Sequence, residues 1–270
     1  MQKTFDNILT KTIKENLQTK YIGQNIFYKE ETSSTNTDAK KLAKENAPNG
    51  SLVIAETQGA GRGRLDRNFF SPKGKGLWFS LILRPKFKIE DAPKCTLLAA
   101  VAVALAMEET GVKPEIKWPN DIMRGNKKLV GILTELVTLS ANDYAVIVGI
   151  GINVNFTESD FPEDIRNIAT SLAIIKGENV ERAKFLQRIL FFTEDLYDKI
   201  ETEGFGEILN LWRKFSVTLN KNIRVINAGD KREITGRALD IDEDGALIVK
   251  SDGKIIKVLA GDVSIREVGN

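Results

Sequence analysis

The sequence predicts an α+β fold, a large domain of helices and strands followed by a small β-barrel, and three observations predict it. Up to about residue 219, segments with helical spacing of apolar residues are interleaved with short apolar runs of strand length. After Asn220 the texture changes to short alternating strands, parted by Gly229-Asp230, Asp244-Gly245, Asp252-Gly253 and Gly261-Asp262, the pattern of a small antiparallel barrel. The chain has 270 residues, of which 42% are hydrophobic and 28% charged, enough for one large core and a smaller one.

In chain order, Phe5, Ile8, Leu9, Ile13 and Leu17 recur at near-helical spacing, so residues 4–18 read as an amphipathic helix. Ile26 to Lys29 reads as a strand, and Ser33-Ser34-Thr35-Asn36 supplies N-cap chemistry for a helix running to about Asn46. Leu52-Val53-Ile54-Ala55 and Leu77 to Leu83 read as buried strands. Leu97 to Thr110 is Ala-rich and almost wholly apolar, a helix buried on most sides and closed by Gly111. Residues 115–155 read as strands at Glu115–Trp118, Asp121–Met123, Leu129–Val137 and Tyr144–Val154, with Arg124-Gly125-Asn126-Lys127 as a hairpin turn. Helical pattern returns at Val180–Ile200 and Phe205–Phe215. The barrel strands are Ile223–Ile226, Glu233–Leu239, Ala246–Val249, Ile255–Leu259 and Val263–Val268. This divides the chain into an N-terminal helix (1–20), a main domain (21–219) and a C-terminal barrel (220–270).

Composition removes several kinds of chemistry. There is no histidine, so Ser-His-Asp triads, Cys-His pairs and imidazole metal sites are impossible. The lone Cys95 can form neither an internal disulfide nor a zinc cluster, and its place before an apolar run reads as a small buried hydrophobe. Thirty-nine Lys and Arg against 37 Asp and Glu leave a formal charge of +2, too little for nucleic-acid binding by bulk field. No signal peptide and no apolar stretch of membrane-spanning length is visible, so a cytoplasmic protein is expected, with no membrane or DNA partner.

Any basic function is therefore local, and residues 58–76 are where it concentrates. Five glycines and five basic residues stand between two core strands in Gln58-Gly59-Ala60-Gly61-Arg62-Gly63-Arg64-Leu65-Asp66-Arg67-Asn68-Phe69-Phe70-Ser71-Pro72-Lys73-Gly74-Lys75-Gly76. Glycine lets the backbone approach a ligand, while Arg62, Arg64 and Arg67 offer permanently charged forks for phosphate or carboxylate. A solvated linker is the commoner fate of such a composition, but rigid flanking strands favour a ligand loop. Four further segments stand out: Glu31-Thr32-Ser33-Ser34-Thr35-Asn36, Lys117-Trp118-Pro119-Asn120-Asp121, Lys127 to Glu135, and Gly149-Ile150-Gly151-Ile152-Asn153. Each also has a structural explanation: a helix cap, a strand-end turn, a solvated charge at Lys128, a close backbone approach at the two glycines.

In order and content these segments resemble the biotin protein ligases over essentially the whole chain. The resemblance rests on Gly-Arg-Gly-Arg at 61–64 with Ser-Pro at 71–72, Lys-Trp-Pro-Asn-Asp at 117–121, Lys-Leu-x-Gly-Ile-Leu at 128–133 and Gly-Ile-Gly-Ile-Asn at 149–153. It implies a central mixed β-sheet flanked by helices, the class II synthetase-like fold of biotin and lipoate ligases, with an SH3-like C-terminal barrel. With about one helix before residue 20, it implies a monofunctional member without the DNA-binding winged helix. Many relatives have a glycine and a tryptophan in the loop where this chain has Asp66 and Phe69, which bears on loop flexibility and adenine-side packing.

The resemblance implies that biotin and ATP give biotinyl-5'-adenylate, whose biotinyl group passes to a lysine of a biotin carboxyl carrier domain. It implies catalytic roles for Arg64, Lys128 and Asp121. Biotin contacts fall to Ser34, Thr35, Asn36, Gln58, Gly61, Arg62, Gly63, Lys128 and Gly131. Nucleotide contacts fall to Arg62, Arg64, Phe69, Asn120, Lys128 and Asn153. Cations that cannot lose their proton suit two anions brought together, and a neutral ureido head suits paired donors and acceptors. Trp118 either walls the biotin side or packs at a strand end, and Asp121 either receives the carrier lysine's proton or serves a turn. Mg is expected to travel with the ATP phosphates, with no protein ligand assigned. A homodimer is compatible with the sequence. The rival functions are lipoate ligation or lipoyl transfer on the same fold, and a non-enzymatic regulator that binds biotinyl-adenylate.

Overall fold

The computed structural model describes residues 8–64, 67–140, 143–227, 233–260 and 263–267. Phe5, Asp66 and the turn pairs Gly229-Asp230 and Gly261-Asp262 lie outside them. The chain runs through α1 (Ile8–Glu15), β1 (Ile26–Thr32), α2 (Thr35–Lys44), β2 (Ser51–Gln58), β3 (Gly76–Leu83), α3 (Cys95–Glu109), β4 (Glu115–Lys117), β5 (Asp121–Arg124), β6 (Lys127–Ser140) and β7 (Asp143–Asn153). It continues through α4 (Glu163–Arg166), α5 (Leu172–Lys176), α6 (Arg182–Glu203), α7 (Gly206–Phe215), β8 (Asn222–Asn227), β9 (Glu233–Ile241), β10 (Leu247–Ser251), β11 (Lys254–Val258) and β12 (Val263–Glu267).

Seven strands form one mixed sheet in the order β1-β2-β3-β7-β6-β5-β4, parallel only between β1 and β2, where α2 makes the crossover. Strand alternation divides its residues between two covered faces. Leu77, Phe79 and Leu81 of β3 and Val148, Ile150 and Ile152 of β7 join the large core with α3 and α6. On the other face Ala39 and Ala43 of α2 pack on Val53, Ile82, Ala145 and Ile147. Helix α3 is buried almost all round, as its unbroken apolar sequence requires. Burial of Cys95 pushes its thiol up to about 12.

The remaining strands make a five-stranded antiparallel sheet, β11-β10-β9-β8-β12. Its edges β11 and β12 are not paired with each other among the described residues. Its buried Ile223, Val225, Ala238, Leu247 and Val249 belong to the same cluster as the large core.

Three features depart from the sequence reading. Ser34 occupies the N-cap position of α2 with extended backbone, φ −163°, yet its side chain makes no cap hydrogen bond. The short helices α4 and α5 fill a stretch in which no element was read, since one turn of helix leaves no periodicity to detect. β6 and β7 extend to Ser140 and from Asp143, beyond the apolar runs that announced them.

Candidate active site

The site begins where side chains run out on the α2 face of the sheet. Trp78, Ser80 and Ile82 of β3 point to this face. Trp78 packs with Phe156 and Phe161, and Ile82 packs under α2, which leaves the fully buried Ser80 between two apolar clusters. Register places Gly149 of β7 beside Ser80, Gly151 beside Trp78, and Gly131 of β6 beside Gly151. The sheet therefore presents a strip of bare backbone, and two side chains lie on it. A Cβ on Gly149 would overlap the Asn36 amide, and a Cβ on Gly131 or Gly151 would stand 2.8 Å from the Phe69 ring. The role of these glycines is close approach, made by Asn36 and Phe69.

Polar groups from four elements meet beside the strip. Ser80 Oγ lies 2.6 Å from Asn36 Oδ1 and 2.8 Å from Thr35 Oγ1. Asn36 Nδ2 donates to Leu133 O and to Glu135 Oε2, so its amide is fully engaged within the protein. Gln58 Oε1 accepts from the Thr35 backbone N–H, and its Nε2 donates to Ser71 Oγ. Burial pushes the Glu135 carboxyl upward, but hydrogen bonds from Lys40 and Asn36 and the charges of Lys40 and Arg62 outweigh it, holding the carboxyl below the usual range.

The basic loop closes on itself by Phe69 N–H to Gly61 O and Gly63 N–H to Arg67 O, at 2.8 and 2.6 Å. Its exit is pinned by Lys75 to Asp160 at 2.8 Å, a hydrogen bond that, with those from Thr157, lowers the Asp160 carboxyl to about 2. Arg62 is exposed and donates to Thr37 Oγ1 of α2. Arg64 donates to Asn120 Oδ1 at 3.1 Å and to Ala260 O at 2.6 Å, while Asn120 Nδ2 is itself tied to Ile132 O. Lys128 enters from the start of β6, where its backbone is held by Ile168 O and Thr170 N–H. Its Nζ lies 2.6 Å from Asp121 Oδ1 and 5.6 Å from the Phe69 ring centroid.

These groups surround a cleft of about 430 Å³ that opens to solvent. Of the residues singled out in the sequence, Ser34, Thr35, Asn36, Gln58, Arg62, Gly63, Phe69, Asn120, Lys128 and Gly131 line it. Arg64 and Asp121 reach it through Asn120 and Lys128, and Gly61 packs behind it against Ser71. Asn153 is turned away, donating to Thr170 O, and Trp118 is buried in the large core with its indole N–H on Gly245 O. Sequence reading missed Phe79 in the lining and Ser80 behind it, and it assigned no role to Ile132, Leu133 and Ile150 of the lining or to Glu135 behind it, although all four lie in segments that it singled out. The signal for Ser80 was present, since a single hydroxyl in a wholly apolar strand must find a partner. Among the described residues no three acidic or thiol side chains converge as a metal site, and no helix is long and apolar enough to cross a membrane. The arrangement can hold an uncharged hydrogen-bonding group among Thr35, Gln58 and the glycines, with anions at its cationic rim.

Comparisons with known proteins accord with this geometry. Residues 28–153 match the biotin/lipoate A/B protein ligase family, and residues 218–266 match the biotin protein ligase C terminal domain. The bifunctional ligase/repressor BirA of Bacillus subtilis is 42% identical over 254 residues, covering 94% of this chain and 78% of that protein. The biotin–acetyl-CoA-carboxylase ligase of Mycobacterium tuberculosis is 31% identical over 247 residues, 86% of each chain. Among solved structures, the biotin protein ligase from Aquifex aeolicus in complex with biotin and ATP superposes with a TM-score of 0.78 at 31% identity, over 91% of this chain and all of that one.

Proposed function

This chain belongs to the biotin protein ligase family, and from that premise we propose how its cleft works as an ATP-dependent ligase that activates biotin and transfers it to a carrier lysine. One observation carries the proposal: a neutral hydrogen-bonding pocket, formed by Thr35 and Gln58 on bare glycine backbone, adjoins Lys128 and Arg62 in a single cleft, with Arg64 held at its edge by Asn120. The ureido head of biotin sits in the pocket and its carboxylate points to Lys128. A carboxylate oxygen attacks the α-phosphorus of ATP, the bond to pyrophosphate breaks, and biotinyl-5'-adenylate forms. The amine of a carrier lysine then attacks the acyl carbon and AMP leaves, with biotin joined by an amide bond.

In the first step two anions meet, so the contribution of the protein is permanent positive charge and alignment. Lys128, rigid at its backbone, lies between the biotin carboxylate and the α-phosphate. Arg64, aligned by Asn120, and Arg62 receive the phosphates. ATP enters as its magnesium complex, whose metal offsets phosphate charge while keeping much of its water. Phe69 packs beside the nucleotide, and Gly61 and Gly63 let the loop backbone close on the ligand. Asp121 holds Lys128 before substrates arrive and receives the proton of the carrier lysine. Asn36, with its amide engaged, supports the biotin pocket from behind, and Ser34 lines it. Asn153, bonded to Thr170, supports the segment that clamps Lys128.

The test separates the two half-reactions. Lys128→Ala is expected to abolish adenylate formation from biotin and MgATP, yet to transfer biotin from supplied biotinyl-adenylate to a carrier domain. Wild-type adenylation by this variant would remove Lys128 from the chemistry.

A further inference from the structure

We propose that Arg182, the first residue of α6, is a positioning residue for adenylate formation: it joins the two strand ends that carry the basic loop, and so fixes where the loop stands beside the cleft. The inference rests on the reading of this cleft as a biotin and ATP site and deepens it.

The loop leaves the sheet at the end of β2 and rejoins it at the start of β3, and one side chain touches both ends. Arg182 Nη1 donates to Glu56 Oε2 at 3.1 Å and to Gly76 O at 3.0 Å, while Nη2 donates to Glu56 Oε1 at 3.3 Å. On the entry side, Glu56 stands two residues before Gln58, which lines the cleft and accepts the Thr35 N–H. On the exit side, a Cβ at Gly76 would overlap the Trp78 ring, so the Gly76 carbonyl is the handle left to a side chain. Glu56, Gly76 and Arg182 all stand outside the lining of the cleft.

Arg182 is itself placed by the exit of the loop. Asn155 exchanges two hydrogen bonds with the backbone of Val180, and its own N–H donates to Lys75 O at 2.7 Å. The start of α6 and the loop exit thus move as one unit, and Glu56 is the link from that unit to β2. Exposure decides which tie carries the weight. The Lys73 and Glu30 side chains, which also pair across the loop stem, are 67% and 57% exposed, where an ion pair contributes little. Those of Arg182 and Glu56 are 20% and 9% exposed. A buried pair adds little stability over apolar residues of the same size, so stability does not account for this one. Its third hydrogen bond, to the end of the loop, does.

The test uses purified full-length protein, biotin and MgATP, and reads adenylate formation below the melting temperature of each variant. Arg182→Met leaves Glu56 buried without its partner, so thermal stability is expected to fall. Combining Glu56→Met with Arg182→Met removes both charges, and most of that stability is expected to return. The bridge to Gly76 O is absent from both proteins. In both, kcat/KM for adenylation is therefore expected to be about two orders of magnitude below wild type, the scale of a misplacement of about 1 Å. Activity that returns with stability in the double variant overturns the proposal, because a structural role alone would then suffice. If the double variant does not fold, Arg182→Lys decides. It keeps a charge beside Glu56 but lacks the fork that spans to Gly76 O, so near wild-type stability with the same loss of kcat/KM is expected, and wild-type kcat/KM overturns the proposal. Wild type that forms no adenylate from biotin is a different failure, and it removes the biotin reading itself.

Discussion

Arg64 shows how one side chain joins parts of the chain that no local pattern connects. Its guanidinium spans Asn120 Oδ1 and Ala260 O, so a loop residue is oriented by a turn after β4 and by the segment that follows β11. On the proposed mechanism, Arg64→Ala loses adenylate formation by about two to three orders of magnitude, the scale of one preorganised charge donor. Arg64→Lys recovers only part of this, because an ammonium cannot bridge two acceptors as a planar fork does. Steady-state pyrophosphate release measures both, and near wild-type release by the alanine variant would contradict the role. The charges around the cleft were legible because loop arginines between core strands have few structural uses. The role of Ser80 was not, because a single polar residue in a strand shows that it has a partner without showing which.

At the scale of elements, the strip formed by β3, β6 and β7 sets the depth of the cleft. Alternating glycines at 149 and 151 were visible as a sign of close approach, but what approaches them is fixed by cross-strand register with Ser80, Trp78 and Gly131. Gly151→Ala tests the strip. Its Cβ would stand 2.8 Å from Phe69, a half-buried ring at the end of a loop that shifts more readily than the sheet. The fold is expected to survive, while KM for ATP rises by about one order of magnitude, within the usual cost of overpacking. Calorimetry and ATP titration separate the two effects, and an unchanged KM would mean that the ring seat does not shape the nucleotide site. Long elements such as α3, β3 and α6 were legible from their periodicity. The one-turn helices were not, and Ser34 was read as a cap because its residue type and position fit one, although its hydroxyl makes no such bond.

At the scale of the molecule, the five-stranded sheet shares its buried residues with the large core and meets the site region through Trp118 to Gly245 and Arg64 to Ala260. The change of texture after Asn220 announced this sheet. Its contacts, which join residues 127 and 196 positions apart, leave no trace in local sequence. The same geometry explains why a chain without histidine and with one buried cysteine suffices: the reaction needs cations, alignment and a shaped neutral pocket, and no covalent intermediate on the protein. The most direct test is mass spectrometry of a biotin carboxyl carrier domain incubated with this protein and MgATP, together with biotin or lipoate. The account predicts a single biotinyl addition on one carrier lysine that requires both biotin and ATP; an unmodified carrier, or one modified with lipoate in preference to biotin, would contradict it.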